Sequence, residues 1–348
     1  MLLVVTSIVL TTFIISIFAR GYIPQYDNGL KITATGLLSA NSLPKNASVI
    51  INDKLYTTTD DSINLVPGDY QLKIVKEGYL PWNKKITIQK EMVYQAEAAL
   101  FKTNPKLTPL TTITALFPTS NPDHTQIVFI APPSTSSYKP GIYLVESSYY
   151  FTPILSRYEP KFIATNPYSF NDKTLSFTFS PNSKQIILKS GTKRNQYLID
   201  LTTNNISLLN EKNNLNWEQQ SKEIETVNLN KLPKIFTNTV ATNPASIQFS
   251  GDENKFLYLF NDQYYTYDSE KNLNYILGKR SDIINPFWLP KSNSIIYTNN
   301  GKIKSIEFDG TNNNTIFSSE LYVKTIIPQF DGEKLIITSD NIYNLTIR

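Results

Sequence analysis

The sequence predicts an all-β protein preceded by one transmembrane helix. Hydrophobic residues make up 41% of its 348 residues, with 21 Tyr and 18 Phe among the aromatics, and aromatic side chains favour strands. After residue 29, apolar and polar residues repeatedly alternate, which is typical of strands with one buried face. The first 19 residues differ, because they contain no charged side chain. One membrane-spanning element is therefore expected ahead of a large β region.

The predicted anchor occupies residues 1–20. At about 1.5 Å per residue, residues 1–19 form a helix of about 28 Å, close to the thickness of a bilayer's hydrocarbon core. A cleaved signal peptide is the alternative, but Ile17-Phe18-Ala19 gives no clear small-x-small cleavage site. Since little chain precedes the helix, we expect a single-pass protein of the cell membrane with its C-terminal bulk outside the cytoplasm.

The amino-acid composition excludes several kinds of functional site. The net charge of +4 comes from 33 basic and 29 acidic residues spread along the chain, so a nucleic-acid partner is not expected. Cysteine is absent, which excludes disulfides, thiolate nucleophiles and cysteine metal sites. The one histidine, His124, follows Pro122-Asp123 and is interpreted as a surface-turn residue. We expect no catalytic residue, no metal and no cofactor.

Residues 29–101 are predicted to form a small β domain. Pairs of apolar residues flank a polar one in several segments: Leu30 and Ile32, Leu72 and Ile74, Ile86 and Ile88. Turn-forming residues separate these segments, as in Pro67-Gly68-Asp69 and Glu77-Gly78-Tyr79. Strands of about six residues between such turns favour a sandwich.

Several motifs in this region resemble the PEGA domain family. They are Leu43-Pro44-Lys45-Asn46-Ala47, Leu65-Val66-Pro67-Gly68-Asp69-Tyr70 and Lys76-Glu77-Gly78-Tyr79. The family is named for a Pro-Glu-Gly-Ala turn, and here Asn46 replaces the glycine; asparagine tolerates the left-handed backbone that glycine serves. The resemblance implies a small β-sandwich of prokaryotic envelope proteins and no catalytic activity.

Residues 105–348 contain an internal repeat, in which a turn precedes a short apolar strand five times. The equivalent strand positions are Ile127, Ile186, Leu257, Ile295 and Leu335, at intervals of 59, 71, 38 and 40 residues. The shorter intervals match one four-stranded propeller blade of about 40 residues. The longer intervals predict insertions, and residues 211–244 are expected to include a short helix.

The repeats resemble TolB-like and WD-type propellers, whose blades often carry a Ser-Pro-Asp-Gly turn. Ser180-Pro181-Asn182-Ser183 and Ser250-Gly251-Asp252-Glu253 are degenerate versions of that turn. The resemblance implies a five- or six-bladed β-propeller over residues 105–348. Its last blade lacks an outer strand, and we predict that residues 106–111 supply it by pairing with residues 340–346.

Catalytic motifs are absent from the sequence. There is no Gly-x-Ser-x-Gly elbow and no phosphate-binding Gly-x-x-x-x-Gly-Lys loop. The acidic pairs Asp60-Asp61 and Asp252-Glu253 are interpreted as solvated turn charges.

Consecutive aromatics are the candidate binding residues, because neighbours in a strand cannot all face inward. They are Tyr149, Tyr150, Phe151, Tyr264 and Tyr265, with packing between blades as the alternative. We therefore expect a non-catalytic envelope display or binding protein whose propeller contacts a protein or glycan partner. The alternatives are an envelope glycan hydrolase with acidic residues at the propeller mouth, and a structural spacer.

Overall fold

The protein consists of two compact units, Met1–Asn104 and Pro105–Arg348. The computed structural model describes residues 2–19, 21–26, 30–133, 138–147, 160–209, 211–239 and 244–348. The predicted binding residues Tyr149, Tyr150 and Phe151 lie outside these described residues.

The first unit begins with helix α1, Leu2–Ala19, which contains no charged residue. In the described ranges, no helix combines the length and apolarity needed for a membrane span. Two short strands follow, β1 at Tyr22–Tyr26 and β2 at Leu30–Ala34, and they pair only with each other. Ile32 of β2 is 56% exposed. The prediction that Ile32 faces the sandwich core is therefore wrong, because its strand belongs to a separate hairpin.

Seven strands make up the rest of the first unit. They are β3 Gly36–Leu43, β4 Ser48–Ile51, β5 Lys54–Thr58, β6 Asp61–Leu65, β7 Gly68–Val75, β8 Trp82–Ile88 and β9 Val93–Ala99. They form two sheets, with orders β6-β3-β9 and β5-β4-β7-β8. The predicted alternation is confirmed in β7, where Leu72 and Ile74 are buried and Lys73 is exposed. Such alternation leaves each sheet with one apolar face, and these faces share a single core.

The turn that replaces the Pro-Glu-Gly-Ala sequence has the predicted backbone. Asn46 adopts a φ of 58°, which lies in the left-handed region. Its neighbour Ala47 is fully buried and donates its amide to Thr59 Oγ1 at 2.9 Å. Asn46 therefore adopts the left-handed backbone conformation that glycine has in the Pro-Glu-Gly-Ala turn.

The second unit contains twenty strands and two helices in its described residues. The first strands are β10 Lys106–Pro109, β11 Leu116–Ser120, β12 Gln126–Ala131, β13 Gly141–Glu146, β14 Lys161–Ala164, β15 Ser176–Phe179, β16 Gln185–Lys189, β17 Gln196–Asp200 and β18 Asn205–Leu208. Helices α2 Glu211–Lys231 and α3 Lys234–Thr239 follow. The remaining strands are β19 Ala245–Phe249, β20 Lys255–Phe260, β21 Gln263–Asp268, β22 Leu273–Lys279, β23 Ile284–Trp288, β24 Ser294–Asn299, β25 Lys302–Glu307, β26 Asn314–Phe317, β27 Thr325–Pro328, β28 Lys334–Thr338 and β29 Ile342–Thr346.

These strands form five four-stranded antiparallel sheets in the described residues. Four are meanders of consecutive strands: blade 1 is β11–β14, blade 2 is β15–β18, blade 3 is β19–β22 and blade 4 is β23–β26. Blade 5 has the order β10-β29-β28-β27. First strands contact those of other blades, as β11 contacts β15 and β27, and β19 contacts β23. This arrangement is that of a β-propeller.

Strand β10 supplies the outer strand of blade 5. It pairs antiparallel with β29, with Lys106 opposite Thr346 and Pro109 opposite Tyr343. The amide of Leu110 also donates to the carbonyl of Ile342 at 2.8 Å. The blade thus combines the beginning and the end of the second unit.

Blades bury both faces, which explains their unbroken apolar strands. Ile127, Val128, Phe129 and Ile130 of β12 are all fully buried. Val128 and Ile130 share a core with blade 2, whereas Ile127 and Phe129 share one with blade 5. Successive side chains of a strand point to opposite faces, so each central strand contributes to two cores at once.

The insertion predicted after blade 2 is helical, and helix α2 is longer than the short helix expected, at 21 residues. Trp217 of α2 donates its indole N–H to Gln185 Oε1 of blade 2 at 2.9 Å. Lys231, at the end of α2, pairs with Glu253 of blade 3 at 2.6 Å. The helical insertion therefore bridges blades 2 and 3 and accounts for the 71-residue interval in the repeat.

Candidate binding cleft

Blade 2 carries an open cleft of about 840 Å³. Its walls are the loop before β15, residues 165–175, and the loop between β16 and β17, residues 190–195. The lining residues are Pro167, Tyr168, Ser169, Asn171, Asp172, Lys173, Thr174, Thr192, Lys193, Arg194, Asn195 and Tyr197. Because one blade supplies both walls, the geometry of the cleft depends on how these two loops are held together.

Asp172 connects the two loops. Its carboxylate accepts hydrogen bonds from the Thr174 hydroxyl and amide at 2.5 and 2.9 Å within its own loop. Across the cleft it accepts from the hydroxyls of Ser190, at 2.5 Å, and Thr192, at 3.2 Å. These bonds, with Ser190 the largest contributor, lower the pKa of Asp172 to about 2. The carboxylate is therefore ionised at neutral pH and organises the cleft walls.

Gly191 allows the loops to approach closely. Its amide donates to Thr174 Oγ1 at 2.9 Å. A Cβ atom at position 191 would lie 3.0 Å from the Cβ of Thr174. A side chain there would push the two walls apart.

Substituting Gly191→Ala is expected to lower the free energy of unfolding by about 1–2 kcal/mol, the usual cost of a modest overpacking. Thermal and urea unfolding of the full chain measure this change. Gly251→Ala is the control, since nothing lies within 4 Å of a Cβ built at that position. Equal small losses in both variants would show that the loops are not packed against each other.

Two tyrosines form the aromatic part of the cleft. The rings of Tyr168 and Tyr197 meet edge to face, with centroids 5.2 Å apart and planes at 85°. The Tyr168 hydroxyl donates to the carbonyl of Asn195, which fixes its ring against the second loop. Partial burial, then Tyr197 and the nearby carboxylate of Asp172, raise the pKa of Tyr168. Both rings are thus positioned before any ligand arrives.

The cleft is electropositive. Lys173, Lys193 and Arg194 line it, and Asp172 is the one acidic residue among the lining residues. From the loop before β15 to the end of blade 2, residues 165–209 contain five basic and two acidic residues, a net charge of +3. Most of the net positive charge of the chain, which is +4, therefore lies in blade 2 and the loop before it. No single motif in the sequence indicates this feature, because the basic residues are spread from Lys173 to Arg194 among neutral ones.

The predicted binding residues Tyr264 and Tyr265 lie in blade 3, away from this cleft. Tyr264 is 9% exposed and packs in the core shared with blade 4. Tyr265 stacks on Tyr258 with centroids 5.3 Å apart and donates to Gln263 Oε1 at 2.9 Å. The position of Tyr264 agrees with the alternative of packing between blades, whereas Tyr265 packs within blade 3 and against the helical insertion. A role of either tyrosine in binding stays a prediction.

His124 lies in a turn, as predicted, but it is partly buried, because its ring packs against other blades. Its ring contacts that of Phe287 of blade 4, with centroids 4.6 Å apart and planes at 30°, and Nδ1 lies 3.3 Å from the carbonyl oxygen of Ile326 in blade 5. A small cavity of about 30 Å³ adjoins the ring. The turn of blade 1 therefore joins three blades through one side chain. No sequence pattern predicts this contact, because it connects residues more than 150 positions apart.

We expect the second unit to lose stability as the pH falls below about 6.5. Burial lowers the pKa of His124 from its ordinary value of 6.5. The unfolded chain then binds the proton more readily than the folded one, so acid favours unfolding. The stabilisation that comes from keeping His124 neutral is complete above pH 6.5 and is lost as the pH falls. Urea unfolding across pH 5–8 measures this slope. His124→Asn should flatten it, because asparagine tolerates the φ of 53° at this position; an unchanged slope would contradict the assignment.

The acidic pairs Asp60-Asp61 and Asp252-Glu253 lie at or beside turns. Asp61 accepts from the Thr57 hydroxyl at 2.6 Å, and Asp252 accepts from Ser250 at 2.6 Å in the turn between β19 and β20. Both interactions are local. In the portion of the chain that the structure describes, no group of three His, Asp or Glu side chains is placed to hold a metal ion.

Comparison with known proteins identifies one domain. The PEGA domain family matches residues 35–104, so the chain contains a PEGA domain over this range. No curated protein matches the sequence.

Solved structures with some similarity include proteins described as TolB and a nutrient binding protein. One, described as TolB, from Agrobacterium tumefaciens, is 14% identical, with 67% of this chain and 76% of that chain covered and a TM-score of 0.25. An auxiliary nutrient binding protein from Bacteroides thetaiotaomicron is 9% identical, with 87% and 90% covered and a TM-score of 0.30. TolB from Acinetobacter baumannii is 13% identical, with 90% and 63% covered and a TM-score of 0.19. The propeller is defined by the strand pairing within this chain.

Proposed function

We propose that this protein is a non-catalytic binding protein of a prokaryotic cell envelope, and that the blade 2 cleft holds its ligand. The observation that carries the proposal is the cleft itself, whose aromatic and cationic side chains converge on one opening. Its two walls are joined by the hydrogen bonds of Asp172. A site whose groups are fixed before binding loses little conformational entropy when a ligand enters.

The cleft suits binding better than hydrolysis. Glycoside hydrolysis generally requires two carboxyl groups flanking the scissile bond. Among the lining residues only Asp172 carries a carboxylate, and its oxygens already accept four hydrogen bonds. With its pKa lowered to about 2, Asp172 is also a poor proton donor at neutral pH. The lining is therefore suited to holding a ligand rather than cleaving it.

Retention of the full chain by envelope material tests this function. Detergent-solubilised protein is incubated with sedimentable envelope polysaccharide and, separately, with immobilised envelope proteins. We expect retention by one of them, and Tyr197→Ala should reduce it by about tenfold. Tyr322→Ala is the control, because this tyrosine is 74% exposed but lies between blades 4 and 5. Equal retention of both variants would exclude the cleft as the binding site.

We further propose that α1 anchors the protein in the cell membrane, with both folded units outside the cytoplasm. Between Leu3 and Ile15, nine large apolar side chains of α1 are exposed, from 44% to 84%. Thr6 and Thr11 of this helix donate to its own carbonyls, Thr6 to Leu3 at 3.1 Å and Thr11 to Ser7 at 2.8 Å. An uncharged helix that exposes so much apolar surface is stabilised by contact with lipid.

The anchor makes a direct prediction about extraction. Full-length protein should remain in the membrane pellet at alkaline carbonate pH. The double variant Ile8→Lys/Phe13→Lys should move to the supernatant, because each lysine costs about 2.5–3.5 kcal/mol at the centre of a membrane helix. Leu55→Lys is the control, since Leu55 is a 63% exposed residue of the PEGA domain. Wild-type protein in the supernatant would contradict the anchor.

Sidedness is tested separately. Protease added to intact spheroplasts should digest the second unit of the wild-type protein. Digestion that requires lysis would place the propeller in the cytoplasm and overturn the proposed localisation.

A further inference from the structure

We infer that the ligand of the blade 2 cleft is an anionic polysaccharide, a chain of sugar rings that carries carboxylate groups. This inference rests on the proposed binding function and specifies the ligand's chemistry. It follows from three properties of the cleft: its charge, its aromatic pair and its hydroxyl- and amide-rich walls.

The charge of the cleft favours an anionic ligand. Lys173, Lys193 and Arg194 line the cleft and are exposed. Within the described ranges they form no ion pair, and ion pairs occur elsewhere, as between Lys231 and Glu253 or Lys324 and Asp340. Each cation therefore retains its hydrogen-bond donors for a ligand. Arginine in particular binds a carboxylate through two parallel hydrogen bonds.

The acidic residues of blade 2 do not compete for these cations. Asp172 is occupied by hydroxyl and amide donors of the two loops. Asp200, at the opposite end of β17, accepts from Thr202 Oγ1 at 2.5 Å and from the amides of Thr202 and Thr203. The bonds to Thr202 and Thr203 lower its pKa to about 2 despite some burial. Both carboxylates organise turns, which leaves an excess of positive charge at the cleft.

The aromatic pair favours sugar rings over simple anions. Tyr168 and Tyr197 meet edge to face and line the cleft together. An aromatic face offers apolar contact to the C–H face of a pyranose. Polar side chains beside the aromatic ring can form hydrogen bonds with the hydroxyl groups of the sugar. A phosphate or sulfate ion would contact the cations alone and would leave both rings unused.

The remaining lining residues match a polyhydroxylated ligand. Ser169, Asn171, Thr192 and Asn195 contribute hydroxyl and amide groups around the aromatic pair. Such groups both donate and accept, as sugar hydroxyls do. The volume of about 840 Å³ lies within the usual range of ligand sites, and the open shape lets a polymer extend beyond the cleft.

Single-stranded nucleic acid is the competing ligand, because it also combines negative charge with flat rings. The structure favours a polysaccharide. The two tyrosines pack against each other edge to face, and the Tyr168 hydroxyl is bonded to Asn195, so they do not form a row of parallel stacking platforms. Titration with an oligonucleotide beside the oligosaccharides distinguishes the two ligands.

Calorimetric titration of the detergent-solubilised full chain tests the inference. The probes are alginate oligosaccharides, which carry one carboxylate per ring, neutral dextran oligosaccharides, inorganic polyphosphate and a single-stranded oligodeoxynucleotide. We expect alginate to bind at least about tenfold more tightly than each of the others, and its affinity to fall as salt is raised.

Two variants assign the interaction to residues. Lys193→Gln/Arg194→Gln should weaken alginate binding by about tenfold or more, with folding unchanged because both side chains are exposed. Tyr197→Ala should weaken alginate and any residual dextran binding together. Lys271→Gln/Lys302→Gln, two exposed lysines of blades 3 and 4, is the charge-matched control and should bind like the wild type.

The outcomes separate this inference from the proposed function. Dextran binding as tight as alginate binding, insensitive to Lys193→Gln/Arg194→Gln, would overturn the anionic ligand but keep a glycan-binding cleft. Tighter oligonucleotide binding that depends on Lys193 and Arg194 would replace the polysaccharide by nucleic acid. Absence of binding to all four probes would also overturn the inference. The proposed function would then be tested only by the retention experiment, in which Tyr197→Ala is compared with Tyr322→Ala.

Discussion

Replacing Lys106–Pro109 by Gly-Ser-Gly-Ser in the full chain is expected to lower the melting temperature of the second unit by about 10 °C and to promote aggregation. Strand β10 forms the outer edge of blade 5, and its Leu107 lies opposite Leu345, which is fully buried. Without this strand, β29 becomes an open edge of unpaired amides and carbonyls. Since the replacement keeps the chain length, a loss of stability reports the missing strand and not a shortened connection.

The control for this replacement is Thr108→Ala. The Thr108 hydroxyl lies 3.4 Å from the carbonyl oxygen of Asn344, so its loss removes one weak contact and leaves the strand pairing intact. We expect a melting temperature within about 1 °C of the wild type. Differential scanning calorimetry and light scattering measure both variants. If the four-residue replacement melted like Thr108→Ala, the closing strand would contribute nothing to the fold.

The strands of both units are largely predictable from the sequence, because their burial follows local rules. The alternation around Lys73 and Thr87 predicts which side chains face the sandwich core. The unbroken apolar strands of the second unit indicate burial on both faces. The repeated turns are also local: Ser250 Oγ accepts from the amide of Lys255 at 3.0 Å and donates to Asp252. Such features depend on residues close in sequence.

The cleft could not be predicted in the same way. Asp172 and Ser190 are 18 positions apart and belong to loops without a motif, yet they meet at 2.5 Å. The contact of His124 with Phe287 likewise depends on how blades are arranged around one another. Consecutive aromatic residues are the sequence pattern that most suggests a binding site. In a strand, however, such a residue can pack between blades, as Tyr264 does. The candidate site is defined by contacts between loops distant in sequence and by the net positive charge around the cleft.

Truncating Phe236 to alanine is expected to reduce the free energy of unfolding by about 3–5 kcal/mol, the range for large-to-small changes at buried aromatics. Phe236 lies in α3 and is fully buried. Its ring meets Phe256, Tyr258 and Tyr267 of blade 3 at centroid distances of 4.8, 5.1 and 4.9 Å, near-perpendicular to the first two. Alanine would leave a cavity among three rigid rings, which cannot close around it.

The matched control lies in the same helical insertion. Val227 of α2 is 55% exposed, and Val227→Ala should change the free energy of unfolding by less than about 0.5 kcal/mol. Urea unfolding followed by tryptophan fluorescence compares the two in a background with Trp82→Phe and Trp288→Phe, so that the signal comes from Trp217 of α2, which is bonded to blade 2 and reports undocking of the helix. With Phe236→Ala we expect the Trp217 signal to change at lower urea than the loss of strand signal in circular dichroism, because the insertion loses its attachment to blade 3 first. Coincident transitions with a loss under about 1 kcal/mol would show that α3 is not part of the propeller core.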